Sequence, residues 1–165
     1  RRLKCIGNYV FKTSALQHIG GFVNFPCAWG SDDITVSILS GNGVGITPDV
    51  LFSFRMSGKN ISSTNNVSQN ELKVKARMQN IEWFEDFVRQ ITTDGSLLNK
   101  YRLASYEDFY RKEWVKSIVS GAEFLRLKQW RECYEWLVKH NELSGMMSKV
   151  HFLWTWIRAF KMRKI

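Results

Sequence analysis

Trp29-Gly30-Ser31-Asp32-Asp33-Ile34-Thr35-Val36-Ser37-Ile38-Leu39 reads in two ways, and the fold follows from the choice. Ile34, Val36 and Ile38 alternate as in a strand, while Ile34 and Ile38 also stack at helical spacing. Acids at the start and Gly41-Asn42-Gly43 at the end are helix punctuation, so the pattern predicts a helix from Asp32 to about Leu39 with Ser31 as its N-cap. Adjacent carboxylates repel each other, whereas the dipole and free N–H groups of a helix N-terminus attract them. Either one acid is oriented to take a proton from a bound hydroxyl group, a general base by geometry, or Ser31-Asp32-Asp33 is an ordinary N-terminal cap.

Upstream, residues 5 to 11 (Cys-Ile-Gly-Asn-Tyr-Val-Phe) are rich in β-formers and predict a short strand. Thr13 is placed to cap a brief helix, Ser14 to Ile19, that Gly20-Gly21 ends. Downstream, Val44 to Thr47 and Val50 to Phe54 predict two more short strands around Pro48-Asp49. Asn60 to Asn70 is rich in Ser and Asn and reads as a surface loop or linker. From Gln69 onward helices dominate. Ile81, Phe84, Phe87, Val88 and Ile91 form one apolar stripe. Ser105 and Asp108 make a variant capping box before a helix carrying Phe109, Trp114, Val115 and Ile118. Phe124, Leu127, Trp130, Tyr134 and Leu137 mark a further helical stretch with a break near Lys128, and a last helix runs from about Ser148 to Arg163. The expected architecture is α/β: short strands and helices over residues 1–66, then a helical extension over 67–165.

The chain has 165 residues and a formal net charge of +9, of which +3 falls in the first 66 residues and +6 in the rest. Excess positive charge favours anionic partners without choosing among them. Much of it sits beside Glu, as in Glu71-Leu72-Lys73-Val74-Lys75 and Arg131-Glu132, and reads as a solvated helix surface. Cys5, Cys27 and Cys133 are too few and too widely spaced for a disulfide framework or a metal cluster. No apolar run approaches the roughly 20 residues that span a bilayer. The first residues are Arg1-Arg2 rather than Met, which leads us to expect a piece of a longer protein.

Gly20-Gly21-Phe22 followed by Trp29-Gly30-Ser31-Asp32-Asp33 resembles the C-terminal half of family 2 glycosyltransferase catalytic domains, inverting enzymes of the GT-A fold. Those carry a Gly-Gly-Phe turn and then an acidic pair at the head of a helix, in many members as Trp-Gly-Gly-Glu-Asp; here Ser31 replaces Gly and Asp32 replaces Glu. Gly7-Asn8-Tyr9-Val10-Phe11-Lys12 is similar to the strand that precedes the turn in that family. The resemblance implies that Asp33 deprotonates the acceptor hydroxyl, that Asp32, Trp29 and Gly30 contact the acceptor, and that Arg55, Ser57 and Lys59 contact the donor diphosphate. A solvated turn is the other reading of that last loop. The resemblance also implies a nucleotide-sugar donor, a glycan or lipid-linked acceptor, and a role in polysaccharide biosynthesis at a cell envelope. Mg²⁺ or Mn²⁺ would be held mostly by residues outside this chain, because the Asp-x-Asp motif and a Gly-rich nucleotide fingerprint are absent from it. The piece alone would then be inactive. The Gln-x-x-Arg-Trp motif of processive synthases is also absent, which favours transfer of one sugar per binding event.

Among other candidates, His18 reads as a packed or surface residue and Cys27 as a core thiol. Trp83, Trp114, Trp130 and Trp136 fall on helical stripes and read as core. Residues 147–165 combine Phe152, Leu153, Trp154, Trp156, Ile157 and Phe160 with Lys149, Arg158, Lys161, Arg163 and Lys164, and contain no acid. Such a helix either lies on an anionic membrane surface or docks its apolar face on its neighbours. A second reading of the whole chain is therefore a non-enzymatic basic helical module that binds membrane or nucleic acid. The acidic pair argues against a phosphate-tracking face, so no nucleic acid partner is expected. The expected location is cytoplasmic, peripheral at the inner face of the membrane, and an exposed sheet edge would favour a homodimer.

Overall fold

The computed structural model describes residues 9–43, 45, 66–93, 103–143 and 146–162. The regular elements among them are helices: α1 (Thr13–His18), α2 (Ser31–Leu39), α3 (Val67–Thr93), α4 (Leu103–Ala122), α5 (Leu127–Lys139) and α6 (Met146–Met162), with 3-10 turns at Pro26–Ala28 and Ser40–Asn42. The α/β expectation is overturned: no strand or sheet occurs among the described residues. Of the strand expected over 5–11, residues 9–11 are described and form none, with Val10 99% exposed. β-formers gain from packing against a neighbouring strand, and a lone strand has none. Here the Tyr9 and Phe11 rings lie 6.1 Å apart, and Phe11 meets Phe22 edge-on at 5.8 Å. The strands expected at Val44–Thr47 and Val50–Phe54 fall outside the described residues apart from Gly45, which is not in a strand.

Helix wins over strand in α2 because its apolar residues meet the core at a spacing of four. Ile34 is fully buried and Ile38 packs against the core cluster. The cap differs from expectation: Gly30, left-handed at φ 84°, occupies the N-cap, and Ser31 is the first helical residue. α1 likewise begins at Thr13, with Lys12 at the cap.

α3 starts at Val67, earlier than the Ser/Asn-rich composition suggests. The Asn66 side-chain oxygen accepts from the Gln69 backbone N–H at 2.9 Å and from the Ser68 hydroxyl at 3.1 Å, a side-chain cap for the first turn. α4 starts at Leu103, so Ser105 lies inside the helix rather than at its cap. The break expected near Lys128 falls just before Leu127 and leaves Phe124 in a turn.

α3 and α4 run antiparallel, as the neighbouring pairs Val74 with Gly121 and Glu85 with Arg111 require. Their shared face holds Val74, Ile81, Phe84, Trp114, Ile118 and Ala122, at the three-, four- and seven-residue spacings of a buried helical stripe. Phe84 meets Trp114 edge-on at 5.7 Å. α5 adds Trp130, Cys133, Trp136 and Leu137 to the same cluster, and α6 adds Phe152. The expected core tryptophans are core: Trp114, Trp130 and Trp136 are buried, and Trp83, partly buried, packs against the core cluster.

A second tie is polar. Arg111 on α4 donates to Glu85 on α3 and to Glu142 beyond α5. His140 stacks on Trp136 with ring centres 4.1 Å apart, and Trp136 Nε1 donates to Glu82 at 2.7 Å. Burial works against the Arg111 cation, but Glu142 and Glu85 outweigh it and hold its pKa above the ordinary value.

Candidate functional site

α1 ends in two successive left-handed glycines, Gly20 at φ 81° and Gly21 at φ 93°, whose N–H groups bond back to Gln17 and Leu16 carbonyls. Glycine, without a Cβ, adopts two such positions in a row at no steric cost. The turn delivers Val23 to α2, where its N–H donates to the Thr35 hydroxyl at 3.2 Å. Thr35 in turn donates to the Ser31 carbonyl at 2.7 Å. One buried hydroxyl thus clips the Gly-Gly-Phe turn to the head of the acidic helix.

Phe25 anchors the next segment in the core. Cys27 and Ala28 both adopt positive φ, 49° and 54°, a cost on the order of 1–3 kcal/mol each for side-chain-bearing residues. Strain of this size persists only where surrounding contacts impose it, and α3 supplies them. Asn80, fully buried, donates to the Trp29 carbonyl at 3.2 Å. Gly30 lies so close that a Cβ there would stand 2.1 Å from the Asn80 amide nitrogen.

Arg77 reaches the acidic pair from the same face of α3. Its Nη1 lies 3.7 Å from Asp33 Oδ2. Its guanidinium sits 5.5 Å from the Trp29 ring centre and 5.7 Å from that of Trp114, between the two indoles. Burial pulls the Arg77 pKa down, while Asp33 foremost, then Asp32, pull it back up. Lys73 Nζ lies 5.0 Å from the Trp29 ring centre, and burial lowers its pKa. Lys73 is therefore half-buried, not part of the solvated surface expected for it. Cys27 is half-buried rather than a full core thiol, and burial raises its pKa against the pull of the Trp29 backbone, Lys73 and Arg77.

Behind Trp29 a cavity of about 270 Å³ opens between α3 and α4, lined by Trp29, Asn70, Lys73, Ser117, Ser120 and Glu123 among others. That approaches the lower end of small-molecule sites, roughly 300–1,000 Å³. The Asn70 amide nitrogen and Trp29 Nε1 are buried without a hydrogen-bond partner.

The structure thus gathers Trp29, Gly30, Asp32 and Asp33 on one side of α3. Arg55, Ser57 and Lys59 lie outside the described residues. Sequence reading missed Lys73, Arg77 and Asn80, which follow at i, i+4 and i+7 on one helix face; that polar stripe was the available signal. His18 is exposed at the end of α1. No group of three or more His, Cys, Asp or Glu placed to hold a metal ion occurs among the described residues. Comparison with protein-family models, with curated proteins and with solved structures gives no match.

Proposed function

We propose that this chain forms the acceptor side of an inverting, nucleotide-sugar-dependent glycosyltransferase. The observation that carries the reading is the Thr35 clip, which brings the Gly-Gly-Phe turn and the Trp-Gly-Ser-Asp-Asp head of α2 into one unit. On this reading Asp33 accepts the proton of the acceptor hydroxyl, with Arg77 fixing the carboxylate in place. Asp32 binds a neighbouring hydroxyl. Trp29 is the motif residue that also lines the cavity between α3 and α4, where Asn70, Ser117 and Ser120 offer polar contacts to the remainder of the acceptor. Donor contacts would come from residues other than those described. The reading rests on this local arrangement and makes no appeal to an α/β core.

A divalent metal does not fit the described residues. The acidic pair faces the Arg77 cation rather than a third carboxylate or imidazole among the described residues, so no step is assigned to a metal here. The test is sugar transfer by the full-length protein from UDP- and GDP-sugars to glycan and lipid-linked acceptors. Asp33→Asn is expected to abolish transfer while circular dichroism shows the helical fold retained. Full activity in that variant would remove Asp33 from the mechanism.

A further inference from the structure

Among the described residues, α6 is docked through one side. Phe152 is fully buried and stacks on Trp130 with ring centres 4.9 Å apart. Thr155 is also buried; its hydroxyl accepts from Trp130 Nε1 at 3.1 Å and donates to the Phe152 carbonyl at 2.6 Å. With this face satisfied, Val150, Leu153, Trp154, Trp156, Ile157 and Phe160 remain between 38 and 53% exposed. Residues 150, 153, 154, 157 and 160 follow helical spacing and form one stripe opposite Phe152 and Thr155. A helix that served only to close the core would carry polar residues there. An apolar stripe of this extent on an exposed face marks a docking surface.

We propose that this outer face of α6 rests on the surface of an anionic lipid bilayer. Charge selects the occupant. From Gly145 to Ile165 there is no acid, while Lys149, Arg158, Lys161, Arg163 and Lys164 are basic. One of these, Arg158, lies 3.7 Å from Glu123; its side chain remains 67% exposed. Apolar residues between cations match a bilayer interface, where acyl chains lie beneath a negatively charged headgroup layer. Tryptophans such as Trp154 and Trp156 suit that boundary, with one apolar ring and one polar N–H each. No helix among the described residues is long and apolar enough to cross a membrane. At 17 residues, α6 would lie along the surface for about 25 Å. The inference goes beyond sugar transfer and does not depend on it.

The experiment is co-sedimentation of the chain with vesicles of phosphatidylcholine alone and of phosphatidylcholine with phosphatidylglycerol in equal parts, with tryptophan quenching by brominated lipid as a second readout. Binding is expected to the mixed vesicles, with quenching, and to weaken as salt rises. Leu153→Glu/Ile157→Glu should lower that affinity about tenfold or more. Leu153 and Ile157 are 48 and 38% exposed and Phe152 and Thr155 hold the helix in place, so circular dichroism should show the helical fold retained. Lys161→Glu/Lys164→Glu should lose the preference for the anionic vesicles. Undiminished binding by the Leu153→Glu/Ile157→Glu variant would overturn the proposal, as would equal binding to both vesicle types or to neither. A dimer in light scattering that this variant dissociates, without vesicle binding, would assign the face to a second copy instead. Salt-sensitive binding to duplex DNA without vesicle binding would assign the basic residues to nucleic acid.

Discussion

At Gly30 a methyl group would meet the Asn80 amide nitrogen at 2.1 Å and Arg77 Nη1 at 2.8 Å, on a backbone already at φ 84°. Gly30→Ala is therefore expected to destabilise the fold by roughly 2–4 kcal/mol, combining conformational strain with overpacking. Urea unfolding measures the loss; combining the change with Asn80→Ala should recover only the steric part. Cys133 supplies a pH signature. Burial pushes its thiol up to about 12 from 9.0. The folded state thus binds the proton more tightly than the unfolded state. Its contribution is complete below about pH 9 and declines as pH rises from there towards 12. Stability followed by urea midpoints should fall over that window, and less so in Cys133→Ala. Neither feature is visible in a residue's type alone. Gly30 is a glycine in a motif until Asn80 is found against it, 50 residues further along the chain.

At the scale of elements, α3 organises both the core and the candidate site. Arg77 links it to α2 through Asp33 and to α4 through Trp114. Arg77→Met should cost about 1–3 kcal/mol, since it strips Asp33 of its cation and the two indoles of theirs. In a double-mutant cycle with Asp33→Asn, a coupling of at least roughly 0.5 kcal/mol is expected; additive losses would show the pair to be independent. The close approach of α3 and α4 depends on Gly121, where a Cβ would stand 2.7 Å from Val74. Val74 is buried and must shift to admit any side chain there, so Gly121→Leu should lower the unfolding midpoint, by an equivalent of about 1–3 kcal/mol, to the extent that Val74 cannot give way into the adjoining cavity. The apolar stripe Ile81-Phe84-Phe87-Val88 was legible in the sequence, because helical periodicity records which face is buried. The inward turn of Lys73 and Arg77 was legible only as a polar stripe shared with Asn80, because such a stripe has the same pattern whether it faces water or a tryptophan from another segment.

For the whole molecule, α6 closes the core by inserting Phe152 against Trp130 and Tyr134. Phe152→Ala should destabilise the chain by about 3–5 kcal/mol, the range for truncating a buried aromatic. Near-ultraviolet circular dichroism should change with it, as Trp130 loses a stacked neighbour. An unaltered near-ultraviolet spectrum would mean that α6 is not packed on α5 in solution. The same helix presents its opposite stripe to the surroundings, so closure of the core and external docking are separable by mutation.

The amino-acid sequence by itself determined the features that depend on neighbours a few residues away. These include the helical reading of Ile34 and Ile38, the glycine end of α1, the buried stripe of α3 and the core placement of Trp114, Trp130 and Trp136. Each follows from backbone hydrogen bonding and side-chain periodicity within one element. Tertiary structure decided the rest. Tyr9-Val10-Phe11 has the composition of a strand but is not one, because a strand is stabilised by a paired neighbour and composition cannot supply that neighbour. The cap of α2 is Gly30 rather than Ser31 because Gly30 takes a left-handed backbone beside a Trp29 carbonyl held by Asn80, and the helix begins at the next residue. The acidic pair gained its cation from α3, and α6 kept an apolar face outside the core, because the partners available in space, not the residues adjacent in sequence, determine which polar groups are compensated and which apolar surface is covered.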